Sequence, residues 1–190
     1  MPDLITHILD FWFLPPGHPG HGKDRTMWFN GTPALDAEIV RRFGAAIEKA
    51  LDGHYDHLAR TPRGALALCL MLDQMTRNAF RGTGRAFAGD ARARRIARAA
   101  LARGFDRRLP RVQRSFLYMP FHHSESQGDQ NRSIGLLWRV HGPGPLKYSV
   151  DHRDIVVRFG RFPHRNAALG RTDTPAEQAY LGGVHARFGQ

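Results

Sequence analysis

At 190 residues the chain has the length of one domain with its own core, and 42% hydrophobic against 24% charged residues is a globular balance. No apolar run approaches the ~20 residues of a membrane-spanning helix, Met1-Pro2-Asp3 lacks a basic leader, and the lone Cys69 excludes an internal disulfide. A cytoplasmic protein of one domain, residues 1–190, with no membrane partner, is therefore the expectation. Twenty-eight basic against 17 acidic residues leave a net charge of +11, and all but Lys23, Lys49 and Lys147 of the basic residues are arginine. Such a field attracts anions.

In chain order, apolar residues recur at helical spacing and strand-like alternation is missing, so the fold class is all-α, with about eight helices in one array of antiparallel hairpins. Asp3 to Leu14 opens the chain and Pro15-Pro16-Gly17 closes it; a loop rich in Gly, Pro and His follows to Lys23. Thr32 caps a helix with Pro33 in its first turn that runs toward Leu51. Further helices are predicted over Pro62–Phe80, Asp90–Arg103, Pro110–Met119, Ser126–Val140, Leu146–Phe162 and Thr174–Phe188. Gly53, Gly82, Gly84, Gly104, Gly142 and Gly144 punctuate them. Pro120 is expected to break its helix near Met119.

Polar residues interrupt three apolar faces. At about 100° per residue, Asp73, Gln74, Arg77 and Asn78 share an arc with Leu66 and Leu70, and Asp73–Arg77 and Gln74–Asn78 are i,i+4 pairs. Buried without partners, such groups cost about 1–3 kcal/mol each, so they either form a satisfied network or line a cavity. A junction after Pro120 holds His122, His123, Ser124 and Glu125. In the third region, Tyr148, His152, Ile155, Val156, Phe159 and Phe162 form one helix face, and Leu146, Val150 and Val157 a second apolar strip. Lys147, Asp151, Asp154, Arg158 and Arg161 form a charged ladder, while Pro163 turns His164, Arg165 and Asn166 off the axis.

Between Ala91 and Arg114, nine arginines face one acid, Asp106. That amphipathic face would bind phosphates in a salt-dependent way, yet stacking aromatics and recognition motifs are missing, so nucleic acid is not the expected partner. No dinucleotide, P-loop, nucleophile-elbow or metal-binding spacing occurs, so no cofactor or metal is implied.

The stretches ILDFWF (Ile8–Phe13), LDQMTRNAFRGTGRAFAGD (Leu72–Asp90), FLYMPFHHSE (Phe116–Glu125) and HRDIVVRFGRFPHRNAALGRTDTPAE (His152–Glu177) resemble the mostly bacterial family catalogued as domain of unknown function 924. The resemblance implies an all-α fold similar to tetratricopeptide-repeat hairpins, although the chain carries no 34-residue repeat signature, and it implies no activity. The resembling motif includes Asp73, Gln74, Arg77, Asn78, His123, Ser124, Glu125, His152, Arg158, Arg161, His164, Arg165 and Asn166.

Together these residues predict a partly enclosed cationic pocket for a small anionic molecule or an acidic peptide end, because guanidinium forks suit carboxylates and phosphates. An enzymatic alternative makes His123 or His164 the general base, oriented by Glu125, with Arg161 and Arg165 stabilising a developing anion in hydrolysis or group transfer. A scaffold that binds a partner protein in a helical groove is the remaining alternative.

Overall fold

The computed structural model describes residues 3–143 and 146–183, and these contain helices and turns but no strand. The helices are α1 (Leu4–Phe13), α2 (Pro33–Leu51), α3 (Pro62–Cys69), α4 (Thr76–Ala79), α5 (Asp90–Ala102), α6 (Arg111–His122), α7 (Gln127–His141), α8 (Lys147–Phe159) and α9 (Pro175–Leu181). Gly144 and the end of the helix expected over Thr174–Phe188 lie outside the described residues. Three helix starts share one local cause, a Thr-Pro pair. Thr32, Thr61 and Thr174 each accept a backbone N–H three residues on, and the following proline needs no acceptor. At α9 the Glu177 carboxylate returns the bond to Thr174 N at 2.7 Å, completing a capping box.

The α3 segment is the centre of the core: Gly64 to Cys69 are all buried, and α1, α5 and α6 pack around it. Trp12 and Phe13 of α1 meet Phe116 of α6 edge to face at 5.7 and 5.3 Å, and Trp28 closes the group at 4.8 Å from Phe116. Each such ring contributes about 1.5–3 kcal/mol through burial. A smaller cluster of Ile155, Val156 and Phe162, with Phe159 and Tyr180, lies beyond it. Consecutive helices α6, α7 and α8 pack on one another, compatible with tetratricopeptide-like hairpins.

Four local expectations change. The helix predicted over Pro62–Phe80 is not uniformly α: Leu70–Met75 forms a π turn between α3 and α4. Its i→i+5 bonding breaks the constant 100° step, so one arc no longer describes Asp73 to Asn78. Helix α6 runs through Pro120 to His122; a proline forfeits one ladder bond, and burial of Phe121 and His122 outweighs it. Helix α8 stops at Gly160 rather than Phe162, because Gly160 takes φ +71° and its N–H closes on Val156 O at 2.8 Å. The second apolar strip is only half-buried: Leu146 packs against the core, but Val157 is 54% exposed.

Candidate functional site

A recess of about 190 Å³ opens between α1, the segment around Trp28, the π turn with α4, and the chain after α6 and α8. Trp12, Trp28, Phe29 and Phe87 give it aromatic walls; Gln74, Arg77, Asn78, Arg81, His123 and His164 supply its polar groups. The π turn places Asp73 behind this lining, 1% exposed. Its carboxylate accepts from His123 Nδ1 at 2.8 Å and from Gln74 Nε2 at 2.6 Å, and Arg77 approaches it at 3.3 Å. Arg77 also forks onto Asp90 at 2.9 and 3.0 Å. Asp90 starts α5 next to Gly89, where an added Cβ would stand 2.1 Å from Leu72 O of the π turn; glycine permits this approach. On the other side Asp36 of α2 accepts from Asn78 Nδ2 at 2.8 Å and from Arg81 Nε at 2.7 Å.

Behind the recess the charges are dense and dry. Burial opposes ionisation of Asp73, but His123 and Arg77 outweigh it and hold the carboxyl below the usual range. Burial lowers His123, against the pull of Asp73 and with the push of Arg77. A carboxylate only accepts hydrogen bonds, so Nδ1 of His123 carries a proton, and in the neutral ring Nε2 carries the lone pair. Burial, then Arg165, pushes His164 down to about 4; burial, then His123, pushes His152 down to about 3. His122 moves down by burial and lies 3.9 Å from His152, ring to ring. Burial and Arg77 lower Arg165 to about 10, which leaves it charged. Its guanidinium donates to His123 O at 3.0 Å, stands 3.6 Å from Asp90, and stacks on Phe162 and Phe87 at 4.4 and 4.8 Å.

The model of the family described as "Bacterial protein of unknown function (DUF924)" matches residues 8–184. The chain belongs to that family. A solved structure of a protein of unknown function from Agrobacterium tumefaciens is similar, with 38% identity and a TM-score of 0.82 over 94% of this chain and 97% of that one. Curated proteins give no match.

The structure divides the residues that carry the DUF924 resemblance into separate groups. Gln74, Arg77, Asn78, His123 and His164 share the recess, with Asp73 behind them. Arg165 lies one layer deeper, and His152 is buried on His122 and bonded to Tyr148 O. Ser124 donates to Asp129 at 2.9 Å, away from the recess lining. Glu125 does not orient a histidine: it accepts from Phe162 N at 2.8 Å and forks with Arg171 at 2.8 and 3.0 Å. Arg161 forks onto Glu177 at 2.6 and 2.7 Å, Asn166 donates to Asp173 at 2.7 Å, and exposed Arg158 covers Phe159.

Sequence reasoning missed Asp36, Asp90 and the aromatic walls. No spacing pairs Asp36 with Asn78, 42 positions away, although Asp90, an acid opening an arginine-rich amphipathic helix, was a readable cue. The arginine-rich face also differs from its one-acid appearance: Arg92 meets Asp56 at 2.6 Å and Arg98 meets Asp129, acids from distant elements. Among the described residues no helix is long and apolar enough to cross a membrane, and no group of three His, Cys, Asp or Glu side chains is arranged to hold a metal.

Proposed function

We propose that this protein binds a small polar molecule in the recess lined by Gln74, Arg77, Asn78, His123 and His164. The supporting observation is that these side chains from three distant stretches meet in one aromatic-walled cavity, while the other ends of Gln74, Asn78 and His123 are fixed by Asp36 and Asp73. Fixed groups lose little freedom on binding, the usual source of preorganised affinity. An anion or an acidic peptide end, the ligand suggested by composition, would have to compete with Asp36, Asp73 and Asp90 for Arg77 and Arg81. The geometry therefore favours hydrogen bonding over charge pairing. Trp12 and Trp28 line the cavity, so tryptophan emission reports occupancy. Titration with sugars, carboxylates and phosphates should give saturable quenching by one class, lost in His123→Ala and retained in Arg158→Ala. Equal behaviour of the two variants refutes the site.

A second reading is favoured by the Asp73–His123 contact. A neutral imidazole with its Nδ1–H on a buried carboxylate is the arrangement of a general base, here for hydrolysis or group transfer. Asp73 takes the orienting role once assigned to Glu125. Turnover from a substrate panel that vanishes in His123→Ala and Asp73→Asn, but survives in Glu125→Gln, supports catalysis; turnover unaffected by His123→Ala argues against it.

A further inference from the structure

The ends of the polar side chains that remain unused decide which chemistry the recess accepts. Gln74 Nε2 donates to Asp73, Asn78 Nδ2 donates to Asp36, and His123 Nδ1 donates to Asp73. Because each partner is a carboxylate, an acceptor only, none of these groups is free to turn around. Their other ends, Gln74 Oε1, Asn78 Oδ1 and His123 Nε2, are acceptors with no protein partner among the described residues. Two further donors lie behind the lining, closed to the cavity. Trp12 is 2% exposed, and its Nε1–H is buried without a partner among the described residues; the Nε–H of Arg77 is in the same position.

Net charge in the wall is small. Arg77 is held between Asp73 and Asp90, and Arg81 forks onto Asp36. An ionised carboxylate or phosphate would bring acceptors against three acceptors. An ammonium would satisfy those three but would meet two guanidinium groups, Arg77 and Arg81. A hydroxyl donates without carrying charge, which fits the three acceptors, and the C–H face of a saturated ring packs on aromatic surface. The volume of about 190 Å³ lies below the ~300–1,000 Å³ of drug-sized sites and restricts the occupant to one small ring.

Resting on the small-ligand reading above, we infer that the recess is a site for an uncharged polyhydroxylated ring, a monosaccharide or cyclic polyol. Its hydroxyls donate to Gln74 Oε1, Asn78 Oδ1 and His123 Nε2.

The test uses the full chain and tryptophan emission, with saturation-transfer NMR as a second readout. Glucose, galactose, ribose and inositol form one arm; inorganic phosphate, succinate and glucose 6-phosphate form another; choline forms a third. The expected result is saturable binding of at least one neutral ring, tighter than any phosphorylated or cationic probe. Gln74→Leu removes an acceptor and should weaken that binding about fivefold to tenfold. Asn78→Leu, which removes the second amide acceptor, should do the same should Gln74→Leu fail to fold. Preference for phosphate, succinate or choline, lost in His123→Ala, overturns the ligand class while leaving the recess reading in place. Binding in no arm up to the solubility of the probes overturns both.

Discussion

Two regions of this molecule look alike in sequence and differ in structure. Around the π turn, Gln74, Arg77, Asn78 and His123 are each tied to a carboxylate at one end and turn toward a recess. Around the segment after α8, Arg161, Asn166 and Arg171 are tied to Glu177, Asp173 and Glu125, and the ties hold chain to chain rather than framing a cavity. Both are dense in arginine, histidine and amide. The second cluster also keeps unpaired atoms, Asn166 Oδ1 and Arg171 Nε, but they are buried away from the recess lining; a polar cluster that frames no cavity joins segments, and one that leaves defined ends facing a cavity is equipped to bind.

The largest expected effect breaks the first region. Asp90→Ala strands Arg77 and Arg165 beside fewer acids in a dry interior and should cost about 3–5 kcal/mol in urea unfolding. Next comes acid. The folded values of His122, His152 and His164 lie below the unfolded 6.5, so the unfolded chain binds protons first as pH falls. The stability these groups contribute is present above about 6.5 and is lost on the way down toward 4 for His164 and 3 for His152. Each group that stays neutral contributes a slope of about 1.4 kcal/mol per pH unit. Unfolding midpoints between pH 7.5 and 4.5 should fall steeply, and His164→Asn should flatten the curve. Gly89→Ala presses a methyl group onto Leu72 O and should cost about 1–3 kcal/mol, with recess binding weakened because Asp90 shifts from Arg77. The smallest effect is Arg158→Ala, whose exposed stacking on Phe159 is worth about 0.5–1 kcal/mol and whose loss should leave any recess ligand bound as before.

The helical class was legible because apolar periodicity and Thr-Pro starts act locally. The polar residues near 73–78, 123–125 and 161–166 stood out for the same reason: they interrupt buried faces. What stayed hidden was everything set by long-range pairing. Asp36 and Asp90 decide which guanidinium groups are satisfied, and neither lies within a helical turn of its partners. The π turn at Leu70–Met75 has no compositional mark, so the projection of Asp73 and Gln74 onto the arc of Leu66 failed. Arg161 and Arg165, three residues beyond Arg158 and Phe162 respectively, went in opposite directions because Gly160 ended α8 early and extended Phe162 re-aimed the chain before Pro163.

The account depends on Asp73 fixing the ring of His123 so that its unprotonated nitrogen belongs to the recess. Long-range proton–nitrogen correlation of the histidine side chains at pH 7 reads this directly. The prediction is a neutral His123 with its proton on Nδ1 and a bare Nε2, and a return of both tautomers to the spectrum in Asp73→Asn. A doubly protonated ring, or a proton on Nε2 in the wild-type protein, would contradict it.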